Sequence, residues 1–456
     1  MATRLTRRGL LQGAAAGVAA ACAPRESGKD SGDPAVQPGK IEHIVMVMME
    51  NRSFDHWYGA RALHEGRSDE DGLTAGMSNP SPQGEDIPVF HATELCPNDP
   101  PHGWSSSHDQ FNAGACDGFA RVHGTSHGTD GAEAMAYLQR EDLPISYALA
   151  DGYRLCDRYF CSLMTGTWPN RLYGQMGSSQ GLTGNSLPSD GSGLTDASVW
   201  KKLDEAGVDW GFYYSDLSFL SLLHNQVDVS RGKGIEELFS ALERGELPPV
   251  VWVDPAFSYN DNHPPHHPAL GELFLAALHE ALATSPLWDK VLVLITYDEH
   301  GGFFDHVPPP LAADDRAADG FDQLGFRVPS LLLGGYVKPG VDHAVYDHTS
   351  WLAWICQQHG IAPWTARIAA ADPLSAVLDA DAMAAGQPRP PIELPGFSFD
   401  ESQLGPECSY FDLRDHQHLE RLRQRMLELG LPDGLQDRRK LATLFQQIGR
   451  RRGLVG

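Results

Sequence analysis

Residues 41–58, IEHIVMVMMENRSFDHWY, run through Val, Ile and Met and then stop abruptly in Glu-Asn-Arg-Ser-Phe-Asp-His. The apolar part does not alternate with polar residues, so it reads as a strand buried on both faces, as in a parallel sheet with helices on either side. Its carboxyl end then presents a carboxylate, an amide, a guanidinium and an imidazole in quick succession. Ligands of open α/β sheets sit outside the carboxyl ends of the strands, so chemistry is expected here.

Further apolar runs at 208–214, 250–253, 291–297 and 328–333 read as strands too, and helical patterns cover 269–283, 349–359, 416–429 and 438–448. Strands alternating with helices predict an α/β fold, with a mostly parallel central sheet and helices on both faces. The stretch 59–131, rich in Gly, Pro and His, is expected to be a long irregular insertion near the strand ends, where binding residues concentrate. The two carboxyl-terminal helices, rich in Arg, Leu and Glu, are expected to pack on the domain rather than meet a substrate.

Thr6-Arg7-Arg8-Gly9-Leu10-Leu11-Gln12 is a twin-arginine pattern, and the weakly apolar stretch after it is too short to span a membrane. Residues 1–22 are therefore expected to be an export signal. Ala19-Ala20-Ala21 meets the small-residue rule for cleavage, and Cys22 directly after it makes a lipoprotein-type signal the alternative. Residues 23–40 form a polar tether, and 41–456 the catalytic domain. The protein is expected in the periplasm, secreted, or anchored by lipid on Cys22. The formal net charge of -25 over 456 residues excludes nucleic acid as a partner and leaves that anchor as the one expected link to a membrane. Six cysteines remain after Cys22, an even number that suggests disulfides in an exported chain, with buried free thiols as the alternative.

The second polar strand end, VLVLITYDEHGGFFDHV at 291–307, repeats the design of the first: Asp298-Glu299-His300, a glycine pair suited to a tight turn, then Asp305-His306. Two strands that each end in adjacent hard ligands can face one another across a cation. Oxygen ligands favour Mg²⁺, Ca²⁺ or Mn²⁺, and a nearby imidazole would admit Zn²⁺. The third piece, Thr165-Gly166-Thr167-Trp168-Pro169-Asn170-Arg171, sets a hydroxyl just before a Pro that can open a helix. Thr167 there is either a nucleophile, acidified by the metal and helped by a helix amino terminus, or simply an N-cap. Imidazoles form the fourth piece: His102 and His108 flank Trp104, and His263 and His266 lie in a Pro-stiffened loop. Such groups can protonate a leaving oxygen and hold non-bridging ones. Asp347-His348-Thr349-Ser350 is either a fifth piece or a helix cap.

Taken in order, Glu-Asn-Arg-Ser-Phe-Asp-His, Thr-x-Pro-Asn-Arg, His-Pro-x-His and Asp-Glu-x-Gly-Gly-x-x-Asp-His-Val resemble the bacterial phosphoesterases, from about Ile41 to Gln358. That family holds non-specific phospholipases C, plant relatives of them, and an acid phosphatase. The resemblance implies an alkaline-phosphatase-like fold with one divalent metal. It also implies Glu50, Asn51, Asp298 and Glu299 as metal ligands, joined by the hydroxyl of Thr167, the nucleophile. His102 or His108, and His263 with His266, fall where the family puts substrate-facing imidazoles. Many bacterial phospholipases C of this kind carry extra carboxyl-terminal domains, which this chain is expected to lack. The expected activity is metal-dependent hydrolysis of phosphoric esters through a phosphothreonine, of the phospholipase C type, with a phospholipid as the candidate substrate. The alternatives are a phosphomonoesterase of the acid-phosphatase type and a non-catalytic surface lipoprotein that binds metal or phosphoester.

Overall fold

The Val/Ile/Met run forms strand β1, His43–Met49, in which every residue after His43 is buried. It lies inside an eight-stranded sheet with β2 (Arg154–Cys156), β3 (Trp210–Tyr214), β4 (Gly232–Gly234), β5 (Val250–Asp254), β6 (Val291–Tyr297), β7 (Leu331–Leu333) and β8 (Gly340–Asp342), in the order β8-β2-β7-β6-β1-β5-β3-β4. The computed structural model describes residues 39–397, 404, 408, 416–437, 440, 443–445 and 447. The export signal, residues 23–38 of the tether, Cys22 and most of the helix expected over 438–448 lie outside them.

The mostly parallel sheet agrees with the sequence pattern, with one exception. Strand β7 runs antiparallel to both of its neighbours, β6 and β2. A parallel return needs a crossover long enough to traverse a face, usually a helix. Between Tyr297 and Leu331 the described chain has only a 3-10 turn, Ala317–Asp319, so it folds back over the sheet edge and enters from the opposite end. Strands β2, β4 and β8 have three residues each, too few to show a period in sequence.

Seven helices matter below: α1 (Trp104–Phe111), α2 (Phe119–His127), α3 (Pro144–Gly152), α4 (Thr167–Met176), α5 (Pro268–Thr284), α6 (Ser350–His359) and α7 (Gln417–Glu428). Helix α4 lies so close to the sheet face carrying Met48 and Trp252 that a Cβ on Gly174 would come within 3.1 Å of the Trp252 ring. Trp351 of α6 donates to Gly174 O at 2.6 Å on the same side. Met49 and Tyr297 point to the opposite face, where Asn262, just before α5, donates to the Tyr297 hydroxyl at 2.7 Å. Among the described residues no helix is long and apolar enough to cross a membrane.

The insertion is not irregular. It contains α1, α2, a short helix at Gly59–His64 and an antiparallel pair, Ser78–Pro80 with Asp86–Pro88. A core of its own, centred on Phe119, Met135, Phe304 and Phe326, holds it together. Helices of six to nine residues punctuated by Gly and Pro leave little periodicity to detect. Of the six cysteines, Cys96 and Cys408 form a disulfide, and Cys116, Cys156, Cys161 and Cys356 are buried thiols.

Asp305 and His306 do not join the other acids of their motif. Arg327, fully buried, donates to Asp305 at 2.9 Å and to Asp55 at 3.1 Å. His306 closes the group, with Nδ1 at 2.6 Å from Asp55 and Nε2 at 3.2 Å from Asp71. The second halves of both polar motifs are thus spent on one ionic knot that ties the insertion to the loop after β6. Burial works to lower the His306 pKa, but Asp55 and Asp71 prevail and push it up to about 10 from an ordinary 6.5. A folded-state value above the unfolded one gives stability that is complete below about pH 6.5 and drains away as the pH rises toward 10. Thermal unfolding across that window should show a decline that His306→Gln flattens; equal slopes would refute the linkage. Arg327→Met, which strands two buried carboxylates, should cost about 3–5 kcal/mol in urea unfolding.

Candidate active site

Parallel pairing in register sets the site. Met49 lies opposite Tyr297 and Val47 opposite Val253, so β6, β1 and β5 end together. The next residues, Glu50 and Asp298, and Asp254 closing β5, gather three carboxylates at one edge, all at most 1% exposed. The two polar strand ends therefore lie side by side rather than facing each other across a gap. Arg171 of α4 gathers them: Nε donates to Glu50 at 2.8 Å, Nη1 to Asp254 at 2.8 Å and Nη2 to Met48 O at 2.9 Å, with Asp298 Oδ2 at 3.7 Å. Burial works against the Arg171 charge, but Glu50, Asp254 and Asp298 raise its pKa above the ordinary guanidinium value.

Arg171 lies one helical turn after Thr167, so the clasp also fixes that hydroxyl. Thr167 is not an N-cap. Gly166 occupies that position and Thr167 is the first helical residue, with its Oγ1 donating to Glu50 Oε2 at 3.3 Å. Asn170 braces the turn before it, its side chain bonded to Leu163, Thr165 and Gly166 backbone groups. Asn185 receives the Trp168 amide at 2.8 Å. Every residue of α4 is buried.

The carboxylates exceed the charge that Arg171 can balance. Burial, followed by Asp298, raises the Glu50 pKa well above the carboxylate range, and the same two causes act on Glu299. Asp298 Oδ1 accepts from the amides of Asn51 at 3.0 Å and Glu299 at 2.7 Å. Asp298 Oδ2, Glu299 Oε1 and Asn51 Oδ1, all buried, have no hydrogen-bond partner among the described residues. Three unsatisfied oxygens beside a surplus of negative charge fit a hard divalent cation. Glu50, Asn51, Thr167, Asp298 and Glu299 are the residues that would hold it. Among the described residues, two other groups have ligand atoms within 4.8 Å of one another: Asp99, His102 and His263 beside this edge, and Asp55, Asp305 and His306, which Arg327 already closes.

His102 lies against Asn51 and Glu299 at this edge. Its Nδ1 donates to Pro100 O at 2.7 Å, and its Nε2 lies 3.2 Å from Asn51 Nδ2 and 3.6 Å from Glu299 Oε1. His263 follows, its ring 5.9 Å from that of His102. His266 is held by Asp261 at 2.7 Å. His108 takes a different place: it bonds to Trp104 O at 2.7 Å and its ring lies 4.5 Å from the Trp104 ring. His348 bonds to Asp298 O at 2.6 Å, while Asp347 serves the turn into α6, accepting the Thr349 amide at 2.8 Å.

Three residues escaped the sequence reading. Asp261 accepts from His266 and the His263 amide, and its own carbonyl receives the Glu50 amide at 2.8 Å. His416, entering α7, brings its ring to 4.9 Å from His263, and His418 follows at 6.0 Å from His416. Burial pushes His416 down to about 4 and His418 to about 3, so both are neutral imidazoles. Asp261 could have been found from its place in the His-rich loop. Nothing local marks His416 or His418, which are carried in from far along the chain, eight and ten residues after the cysteine bonded to Cys96.

The glycine pair joins the parts. Gly301 (φ +63°) lies where a Cβ would come within 2.1 Å of Asn51 O, and Gly302 (φ +72°) where one would meet Pro100 and the Pro101 carbonyl at 2.7 Å. Asn51 itself is left-handed at φ 57°, a conformation Asn tolerates better than most residues.

Comparison with known proteins is consistent over most of the chain. Residues 41–362 match the sequence profile described as the Phosphoesterase family. "Non-specific phospholipase C1" of Arabidopsis thaliana is 32% identical over 361 residues, covering 71% of this chain and 67% of that protein. "Phospholipase C B" of Mycobacterium tuberculosis is 31% identical, covering 70% and 74%. Among solved structures, a protein in the alkaline phosphatase superfamily from Vibrio parahaemolyticus aligns over 75% of this chain and 74% of its own at 12% identity, with a TM-score of 0.37.

Gly301→Ala should destabilise the protein by about 1–3 kcal/mol more than Gly320→Ala does, because overpacking adds to the left-handed strain. Gly320 has the same positive φ (+83°) with nothing within 4 Å. Paired urea titrations would measure the difference, and equal losses would show that the Asn51 contact is slack.

Proposed function

The chain belongs to the phosphoesterase family, and from that premise we propose that it hydrolyses phosphodiesters of the phospholipase C type through a covalent phosphothreonine on Thr167, with one divalent cation bound. The observation that carries this reading is the Thr167 hydroxyl, at the head of α4 and bonded to Glu50, beside three buried oxygens without partners. A cation held by Glu50, Asn51, Thr167, Asp298 and Glu299 would supply the positive charge that polarises a phosphoryl oxygen and acidifies the hydroxyl.

Thr167 Oγ1 attacks phosphorus in line, and Glu50 Oε2, already its hydrogen-bond acceptor, lies where the proton leaves. The bond from phosphorus to the alcohol breaks, and His102, beside Glu299 and next to Gly166, would act in its imidazolium form, giving the Nε2 proton to the departing oxygen and recovering one from the water of the second step. Water then cleaves the phosphothreonine and the hydroxyl is restored. His263, which burial pushes well down, stays neutral and with His416 forms the imidazole wall that would meet the substrate. Preorganised groups at a buried edge provide the positioning and charge stabilisation that phosphoryl transfer demands.

The diester preference draws on the names of the relatives; a phosphomonoesterase would use the same residues. The twin-arginine pattern at Arg7 and Arg8 supports export, with Cys22 as a lipidation site, and mass analysis of the protein from a membrane fraction would test both.

The decisive assay compares p-nitrophenylphosphorylcholine with p-nitrophenyl phosphate on one sample of known metal content. Faster choline-ester cleavage is expected, and faster monoester cleavage would make the protein a phosphatase. Thr167→Ala should lower turnover by about 1,000-fold or more with metal content unchanged. Retained turnover would eliminate the phosphothreonine. Asp298→Asn should lower metal occupancy, and full occupancy would remove Asp298 from the ligand set. Metal bound with no turnover of either ester would favour a binding protein instead.

A further inference from the structure

Five arginines are among the largest fully buried side chains, and four of them, Arg61, Arg171, Arg327 and Arg367, hold a carboxylate within 3.1 Å. Arg52 holds none. Its Nε donates to Asn262 O at 2.8 Å, Nη1 to His56 Nε2 at 3.0 Å and Nη2 to His266 O at 3.5 Å. His56 gives its own Nδ1 proton to Ala136 O at 2.7 Å, so the ring accepts from Arg52 as a neutral imidazole. All three acceptors are therefore uncharged, and among the described residues two of the five guanidinium N–H groups find no acceptor. The ring faces of Phe303 at 4.9 Å and Trp57 at 5.9 Å lie against the charge, and Asp261 and Asp99 act on it only from beyond ion-pair distance.

Arg52 and His56 line a cavity of about 120 Å³, partly open to solvent, whose walls include Ala92, Leu95, Leu138, Pro268 and Phe303. A buried cation that no acid touches, set at an apolar cavity, is suited to an anionic head on an apolar body. Two acids also line the cavity, and they limit the charge of that head. Glu94 is exposed, and Glu133 is engaged by His123 at 2.9 Å and Asn98 at 2.9 Å. A doubly charged phosphate passing them would be repelled more than a single carboxylate.

We propose that this cavity is a binding site for an amphiphile with one carboxylate and a short apolar chain, its carboxylate on the free N–H groups of Arg52 and its chain against Leu95, Leu138 and Phe303. None of the groups assigned to hydrolysis contributes to it, so its occupancy is separable from turnover. The Arg52 bonds to Asn262 and His266 nevertheless reach the loop that carries His263.

The probes are octanoate and octanol, titrated calorimetrically into the full metal-loaded chain with inorganic phosphate present to occupy the hydrolytic edge. Octanoate is expected to bind at least about tenfold more tightly than octanol, as a charge-assisted contact requires. Ala92→Phe, which fills the cavity, should weaken octanoate at least about tenfold and leave p-nitrophenylphosphorylcholine turnover unchanged. Leu95→Trp, at the half-buried wall, is a second filling variant with the same expected loss. Equal affinity for acid and alcohol would overturn the anion site. Octanoate binding that survives both variants would place it elsewhere, and acetate binding as tightly as octanoate would leave only a small-anion site.

Discussion

The guanidinium of Arg171 is the contact on which the site depends. It is buried, it draws in the acids that end two central strands, and it is carried by the helix that begins at Thr167. Carboxylates packed side by side at a sheet edge repel one another, and without an internal cation β5, β1 and β6 would splay at that end. Removing one partner of a buried pair is costlier than never having built it. One Arg cannot neutralise the whole group, however, and the remaining charge is what makes the edge receptive to a hard cation.

The two polar motifs divide their labour in the same way. In each, the residues immediately after the strand, Glu50-Asn51 and Asp298-Glu299, serve the edge. The residues farther on, Asp55 and Asp305-His306, close on Arg327 instead. In sequence the two halves look alike, because a carboxylate left over at the edge and one claimed by Arg327 are the same residue type. Arg327 lies in neither motif, and only folding reveals which acids it claims.

This explains which features could be read beforehand. The central strands were legible because burial on both faces leaves long unbroken apolar runs, and β6 was bounded at Val291 and Tyr297 as the structure has it. The location of the edge followed from the polar residues directly after those runs. Strands of three residues carry no such pattern, nor do the short helices of the insertion. His416 and His418 were passed over because α7 has the composition of a packing helix, and its approach to His263 is a tertiary fact. His108 drew notice for its neighbour Trp104, which turns out to be what holds it.

The absence of side chains at Gly301 and Gly302 has a mechanical consequence. With two backbones pressed against the pair, Asn51 on one side and the Pro100–Pro101 segment on the other, no slack separates the strand edge from the loop bearing His102. A hinge needs room on at least one side, and here there is none. The imidazole and the carboxylates should therefore move as one piece, so that a substrate meets a template already in register.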